Sequence, residues 1–402
     1  MARYLYTAKS DPQKTVRGNI EAESEQEAIN KILKSGLFPI VVQAENAVQI
    51  RSSGFRLKKF SNKDIVLFTT KLSTLLDSGV DIIKALDIVS AQSSDRRLKA
   101  ILGEVKSKIK DGQSLSDSLA AFPNLFSGLY TSMVHTGEAS GNLNDVLKRL
   151  ANFLEKEEEF KNNLLASLVY PAFVLAVGIL TVWALLVFVI PRLAAMFEDM
   201  GQALPLPTRI LIETSAFFRN FWWLIIASIV ILIFFLRRLY ATAPGKLMLD
   251  NFKLKAAVLG PITLKTSLSR LTRTLSLLIS SGIPISPALE ISALTIDNQI
   301  IRTDLKKFRG LISDGASLSE ALKTSDIFPD FMVSIVRIGE ETGALEKSLL
   351  RIADDYEKDV DRTLKTLTQL LEPVIILIMG LIVGFIVISM LLPIFEMNLL
   401  VK

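Results

Sequence analysis

Phe68–Ser90 reads FTTKLSTLLDSGVDIIKALDIVS, and Leu271–Ala293 reads LTRTLSLLISSGIPISPALEISA. Ten of the 23 positions are identical at a shift of 203, among them Ser78-Gly79 with Ser281-Gly282 and Ala85-Leu86 with Ala288-Leu289. At the same shift Asp111-Gly112-Gln113-Ser114-Leu115-Ser116 answers Asp314-Gly315-Ala316-Ser317-Leu318-Ser319. At a shift of 202, VHTGEASGNLNDVLKRL (Val134–Leu150) matches VRIGEETGALEKSLLRI (Val336–Ile352). That register holds through Glu155-Lys156 with Glu357-Lys358, Tyr170-Pro171 with Glu372-Pro373, and Pro191 with Pro393. Similarity at a fixed offset marks a repeated structural unit. Each copy joins a polar region to one apolar run.

Within each copy, apolar residues recur at three- and four-residue steps: Leu72, Leu75, Leu76 and Val80, then Leu271, Leu275, Leu278 and Ile279. This is the spacing of amphipathic helices, and it predicts helical bundles over 61–165 and 264–367. Gly79 and Gly282 stand where a helix should stop, because glycine enters the left-handed conformation at little cost. Pro284 and Pro287 suit a helix start and first turn. Ser114 and Ser317 are candidate N-caps, with Asp117 and Glu320 three residues on. Gly137-Glu138 and Gly339-Glu340 are expected to open a further turn, closed by Gly141 and Gly343. The first fifty residues differ. Arg3–Ala8 alternates, Val16–Ala22 can pair with it, Glu23–Lys34 has helical spacing, and Leu37–Val42 reads as a strand. They predict a small α+β module over 1–50, joined to the first bundle by a link containing Ser52-Ser53-Gly54, Arg56, Lys58 and Lys59.

The chain has 402 residues, half of them hydrophobic, with no Cys and one His. Mean hydropathy is +0.39. A globular chain reaches that apolar share only when glycine is counted. The excess lies in three charge-free stretches: 162–191, 220–236 and 373–395. A bilayer core requires about 20 apolar helical residues. Transmembrane helices are therefore expected at 168–190, 217–236 and 373–392; the alternative is a buried hairpin in a soluble core. The second stretch is short, and Ala216, Phe217 and Phe218 lengthen it if Arg219 snorkels. After it come Arg237, Arg238, Lys246, Lys253, Lys255, Lys265, Arg270 and Arg273 against Asp250 alone. Basic residues mark the cytoplasmic side. The N-terminus and both bundles are thus assigned to the cytoplasm, and the loop 191–216 and tail 393–402 to the outside. Met1–Asp11 has no apolar run resembling a signal peptide. The fold class expected is mainly α: an integral membrane protein with two repeated cytoplasmic bundles, three transmembrane helices and the N-terminal module.

Without cysteine, disulfides, thiolate catalysis and iron–sulfur clusters are excluded, and one His cannot make a multi-histidine metal site. A formal charge of +5 is too small for a nucleic-acid footprint. No phosphate loop exists, since Tyr240 stands where Gly245-Lys246 would require glycine. No cofactor is expected. His135 could act as a base, but its repeat counterpart is Arg337, which favours a structural role. Glu138 and Glu340 are candidates either for docking a partner or for capping a helix N-terminus, with Gly137, Gly141, Gly339 and Gly343 beside them. Acidic runs precede both terminal spans: Glu155, Glu157, Glu158 and Glu159, then Asp354, Asp355, Glu357, Asp359 and Asp361. Near anionic lipid these should face away from the bilayer or toward basic partners; the alternative is a merely solvated helix face. Gly380 and Gly384 form a GxxxG, a candidate packing face between spans. The charge-free stretches contain no Asp, Glu, Lys, Arg or His, which argues for an anchor and against the rival reading, a membrane permease or transducer with a proton or ion path.

This combination resembles the inner-membrane platform proteins of type II secretion and type IV pilus machines, the GspF/PilC family. The residues that carry the resemblance are GEASG and GEETG at Gly137 and Gly339, Tyr170-Pro171, Leu204-Pro205-Leu206-Pro207-Thr208-Arg209, Tyr4–Ala8 and Gly36-Leu37-Phe38-Pro39. GEASG-N-L with LPLPTR is nearer the secretion branch. The resemblance implies a non-enzymatic platform in the cell inner membrane, part of a homo-oligomer. Its implied partners are a cytoplasmic hexameric ATPase, other inner-membrane components and pilin-like subunits. Some members of the secretion branch bind calcium through an acidic pair on the helix after the GExSG turn. Lys148 and Asn152 stand at those positions here, and lysine offers no oxygen ligand, so no calcium is expected there.

Overall fold

The computed structural model describes residues 2–11, 14–22, 25–44, 62–192, 195 and 205–400. They fall into two compact units that part after residue 60. The expected link with Ser52-Ser53-Gly54 and its basic residues lies outside the described residues.

In the first unit β1 (Ala2–Asp11) pairs antiparallel with β2 (Lys14–Ala22) and β3 (Phe38–Ala44), in the order β2-β1-β3. Helix α1 (Glu25–Lys34) buries Ala28 and Ile32, and the sheet buries Ala8 and Ala22. Gly36, at φ 76°, ends α1.

The second unit holds both bundles. Bundle one is α2 (Asn62–Asp77), α3 (Ile82–Gln92), α4 (Arg96–Lys110), α5 (Leu115–Ala120), α6 (Gly128–Ala139) and the start of α7 (Leu143–Ala184). Helix α8 (Leu206–Ala241) and α9 (Ala243–Lys255) intervene. Bundle two repeats the plan in α10 (Leu259–Ser280), α11 (Ile285–Thr295), α12 (Gln299–Ser313), α13 (Leu318–Lys323), α14 (Asp330–Glu341) and α15 (Leu345–Leu400). Phe68, Leu72 and Leu76 of α2 are buried with Phe126, Tyr130 and Leu147. Phe126 bridges Phe68 and Tyr130 at centroid distances of 5.7 and 5.0 Å. Burial pushes the Tyr130 phenol well above its ordinary range, with only Thr69 Oγ1, 3.1 Å away, to offset it. In bundle two Phe328 packs instead on Phe308 of α12, centroids 5.2 Å apart.

The expected punctuation is present. At Gly79 (φ 79°) the Val80 amide returns to the Leu75 carbonyl, 3.0 Å, and at Gly282 (φ 86°) the Ile283 amide returns to Leu278, 3.0 Å. Ser114 Oγ accepts from the Asp117 amide and Ser317 Oγ from that of Glu320. Glu320 completes a capping box, and its bonds to Ser317 hold its carboxyl below the usual range.

Two long helices carry each bundle into its apolar run. One runs unbroken in direction over Leu143–Arg192, with a π-turn at Leu185–Val189, and the other over Leu345–Pro393. Among the described residues these two are long and apolar enough to cross a membrane. A third span is added if Leu206–Leu224 and Ile226–Ala241, bent by 44°, are taken together. Pro171 and Pro373 therefore sit inside helices rather than starting them. Part of the expected outer loop is also helical, since α8 begins at Leu206, where Leu211 packs with Leu186, Ile190 and Ile386. The expected outer tail continues α15 as helix to Leu400.

Proline inside a helix withdraws one amide donor and leaves a carbonyl on the preceding turn without its partner. Here hydroxyls from other helices take three such carbonyls. Pro171 leaves Ser167 O, which Thr368 Oγ1 of α15 reaches at 3.3 Å. Pro393 leaves Ser389 O, which accepts from Thr208 Oγ1 of α8. At the π-turn the Ile190 amide turns to Leu185 O, so Leu186 O would look to Pro191, which has no amide. Ser215 Oγ of α8 donates to Leu186 O instead.

Gly282 and Gly310 separate backbone strain from crowding, because a methyl added at either would meet no atom within 4 Å. Gly282→Ala should lower stability by about 1–2 kcal/mol, the left-handed penalty. Gly310→Ala, in the last turn of α12 with helical φ, should raise it by about 0.5–1 kcal/mol. Thermal unfolding of the full chain in detergent reads both signs.

Candidate functional site

The two GExxG segments fall in the last turns of α6 and α14, so Gly137-Glu138 and Gly339-Glu340 are helical rather than the opening of a turn. The turns lie at Gly141 (φ 71°) and Gly343 (φ 67°). Each residue of the motif has a separate physical task. A methyl at Gly137 would stand 3.1 Å from Leu143 Cα and 3.1 Å from Val146 Cβ. One at Gly339 would stand 2.7 Å from Ser348 Oγ and 3.1 Å from Leu345 Cα. Glycine thus lets consecutive helices close tightly on each other. Glu138 reaches sideways to α5: Oε1 accepts from the Leu115 amide at 2.6 Å and Oε2 from Ser116 at 3.0 Å. Glu340 does the same to Leu318 and Ser319 at 2.6 and 3.1 Å. The first amides of a helix have no partner within it, and a carboxylate answers both them and the helix dipole. Both glutamates therefore stand where the capping reading put them.

His135 Nδ1 lies 3.4 Å from Ser116 Oγ beside this cap. Lys148 pairs with Asp77 at 3.7 Å. Asn152 lines a hollow with Arg149, Phe153, Lys156 and Arg273, a setting rich in cations. Among the described residues no group of three or more His, Cys, Asp or Glu is placed to hold a metal ion. Gly380 and Gly384 face open space, whereas a methyl added at Gly178 would stand 3.0 Å from Met379 Sδ. The close approach between the two long helices is thus at Gly178, the repeat counterpart of Gly380, which sequence reasoning passed over for want of a second glycine four residues away.

The acidic runs find basic partners inside the chain. Arg273 of α10 donates to Asp354 Oδ1 at 2.7 Å and to Glu357 Oε1 at 2.9 Å, and Lys265 to Asp359 at 2.8 Å. Arg270 crosses to bundle one and pairs with Glu157 at 3.1 Å. In bundle one the residue matching Arg273 is Thr70, whose hydroxyl donates to Glu155 at 2.7 Å, and Leu67 matches Arg270. The two copies keep one geometry with different donors. Where the long helices approach the apolar region, equivalent residues touch: Tyr170 Oη donates to Glu372 Oε1 at 2.9 Å.

The family model described as type II secretion system protein F matches twice, over residues 68–191 and 271–393. The N-terminal domain model of the same protein matches residues 1–43. The chain belongs to the type II secretion system protein F family. Members of this family similar to the chain include a type IV pilus assembly protein PilC of Thermus thermophilus, 35% identical over 98% of each chain. Another PilC, from Myxococcus xanthus, is 34% identical over 98% of this chain and 95% of its own length. A type II secretion system protein F of Vibrio cholerae is 32% identical over 99% of each. Membership of the protein F family and the apolar helices together make this a membrane protein, and the doubled match is the doubling read from the repeats. The pilus and secretion relatives do not separate the branches.

Replacing Glu138 or Glu340 by Ala strands two partly buried amides, so each change should cost about 1–2 kcal/mol. The Gln variants should lose less. Thermal unfolding of the purified chain measures this; an unchanged midpoint in both Ala variants would contradict the capping role.

Proposed function

We propose that the chain is a non-enzymatic platform of an inner-membrane assembly machine. It receives motion from a cytoplasmic ATPase and passes it to pilin-like subunits leaving the membrane. The observation that carries this reading is the family match in both halves of the chain, joined to the two long helices that run from bundle to apolar run. A helix is stiff along its axis, so a displacement of a bundle reaches the membrane without a hinge between them. The bundles and the N-terminal module are assigned to the cytoplasm and the C-terminus to the periplasm, because the basic residues gather after α8. Other inner-membrane components and further copies of the chain complete the platform, and no nucleic acid is involved.

The machine we favour is a type II secretion system, in which the filament is a pseudopilus that drives protein export; GEASG-N-L and LPLPTR support it. Type IV pilus assembly is the second reading, favoured by the 34–35% identity to two PilC proteins. Deleting the gene and scoring exported protein and surface pili in parallel separates them. The purified chain should hydrolyse no nucleotide.

Gly128 of bundle one and Leu294 of bundle two face each other, with Leu294 Cδ1 3.7 Å from a methyl added at Gly128. In this cysteine-free chain, a Gly128→Cys/Leu294→Cys pair cross-linked by a short thiol reagent should halt export or piliation, and cleaving the link should restore it. Undiminished output from fully cross-linked protein would defeat the moving-bundle mechanism.

A further inference from the structure

Helix α9 follows α8 after a single residue, Thr242, whose hydroxyl caps it by accepting from the Gly245 amide at 3.2 Å. One side of α9 is committed to bundle two. Asp250 is buried there; its Oδ2 accepts from the Gln299 amide at 2.9 Å, and its carbonyl from Asn298 Nδ2 at 3.3 Å. The opposite side carries Met248 and Phe252, each 69% exposed, together with Lys255, and Leu247 is exposed on the flank. Val258 and Leu259, also exposed, extend this apolar strip beyond the helix end. Within 237–273 the outward charge has one sign, with exposed Asp297 of bundle two bordering the hollow beside Tyr240 and Lys253. Asp250 is the only acid between Arg237 and Arg273, and it is turned inward. Lys246 and Lys253 lie over the Tyr240 ring at 5.6 and 4.8 Å, beside Arg237 and Arg238 at the end of the apolar run of α8.

We propose that α9 lies in the headgroup layer of the membrane on the cytoplasmic side, with Met248 and Phe252 in the acyl boundary and the surrounding Lys and Arg on anionic lipid phosphates. An amphipathic helix with a basic rim binds such a surface through apolar burial and charge together. The surface that covers this face is lipid because α9 is continuous with a span and its outward charges are all cationic. It fixes bundle two against the membrane while α12 is held through Asp250. This rests on the reading that α8 spans the membrane with α9 on the cytoplasmic side.

Because the chain lacks cysteine, single substitutions can carry a nitroxide in the full protein. We would label Met248→Cys, Phe252→Cys, Ile231→Cys in the span and Glu104→Cys on exposed α4, in vesicles with and without phosphatidylglycerol. Labels at 248 and 252 should collide with oxygen in preference to an aqueous nickel chelate, as at 231 and opposite to 104. That preference should weaken without phosphatidylglycerol and in Lys246→Gln/Lys255→Gln. Aqueous accessibility at 248 and 252 with 231 in lipid would overturn the proposal alone, as would shielding from both reagents, the mark of a protein partner, or indifference to phosphatidylglycerol. Aqueous accessibility at 231 would remove the spanning reading and this proposal with it.

Discussion

The apolar part of this chain depends on what happens to a carbonyl when proline takes away its amide. In water such a group would hydrate; in hydrocarbon it must find another donor or cost several kcal/mol. Ser167, Leu186 and Ser389 each offer one, and each is met by a hydroxyl from a different helix. The prolines thereby become the places where the spans are joined. Thr368 ties α15 to α7 on the side facing the bundles, while Ser215 and Thr208 tie α8 to both long helices at the other end. The apolar packing of Leu186, Ile190, Leu211 and Ile386 surrounds the outer pair.

The same economy governs the bundles. A GExxG segment needs its first glycine for close helix approach, its glutamate to finish a neighbouring helix, and its last glycine for the left-handed turn. With α5, α6 and α7 fixed in this way in one copy and α13, α14 and α15 in the other, each bundle is set at a defined angle on its own long helix. The copies differ in how they hold their acidic turns. Arg273 and Lys265 supply charge in the second, and Thr70 a hydroxyl in the first. Arg270 also reaches Glu157, so the pair is not symmetric: bundle two grips bundle one.

Much of this was legible in the sequence because it repeats. Two copies of Ser-Gly, Asp-Gly and GExxG located the helix ends by glycine chemistry alone, and the serine caps followed from spacing. Helical continuity through Pro171, Pro191 and Pro393 was not legible, because a local rule expects proline to start or kink a helix. The hydroxyls that permit it lie far away in sequence, from 29 residues for Ser215 to 201 for Thr368. The helical start of α8 at Leu206 was hidden by the prolines and polar residues around it, since the apolar partners of Leu211 come from two other segments. The acidic runs looked solvent- or partner-facing for a similar reason. Their partners on α10 occupy positions where the other copy has Thr70 and Leu67, so the repeat gave no hint of pairing.

The central claim, that proline-freed carbonyls bind the spans together, is tested most directly by a double-mutant cycle on Thr208 and Pro393. Thr208→Val in the native background should destabilise the full chain in detergent by about 1 kcal/mol, as a lost interhelical hydrogen bond does. With Pro393→Ala the backbone regains a donor for Ser389 O, so Thr208→Val should then cost close to nothing. Equal losses in the two backgrounds would contradict the account.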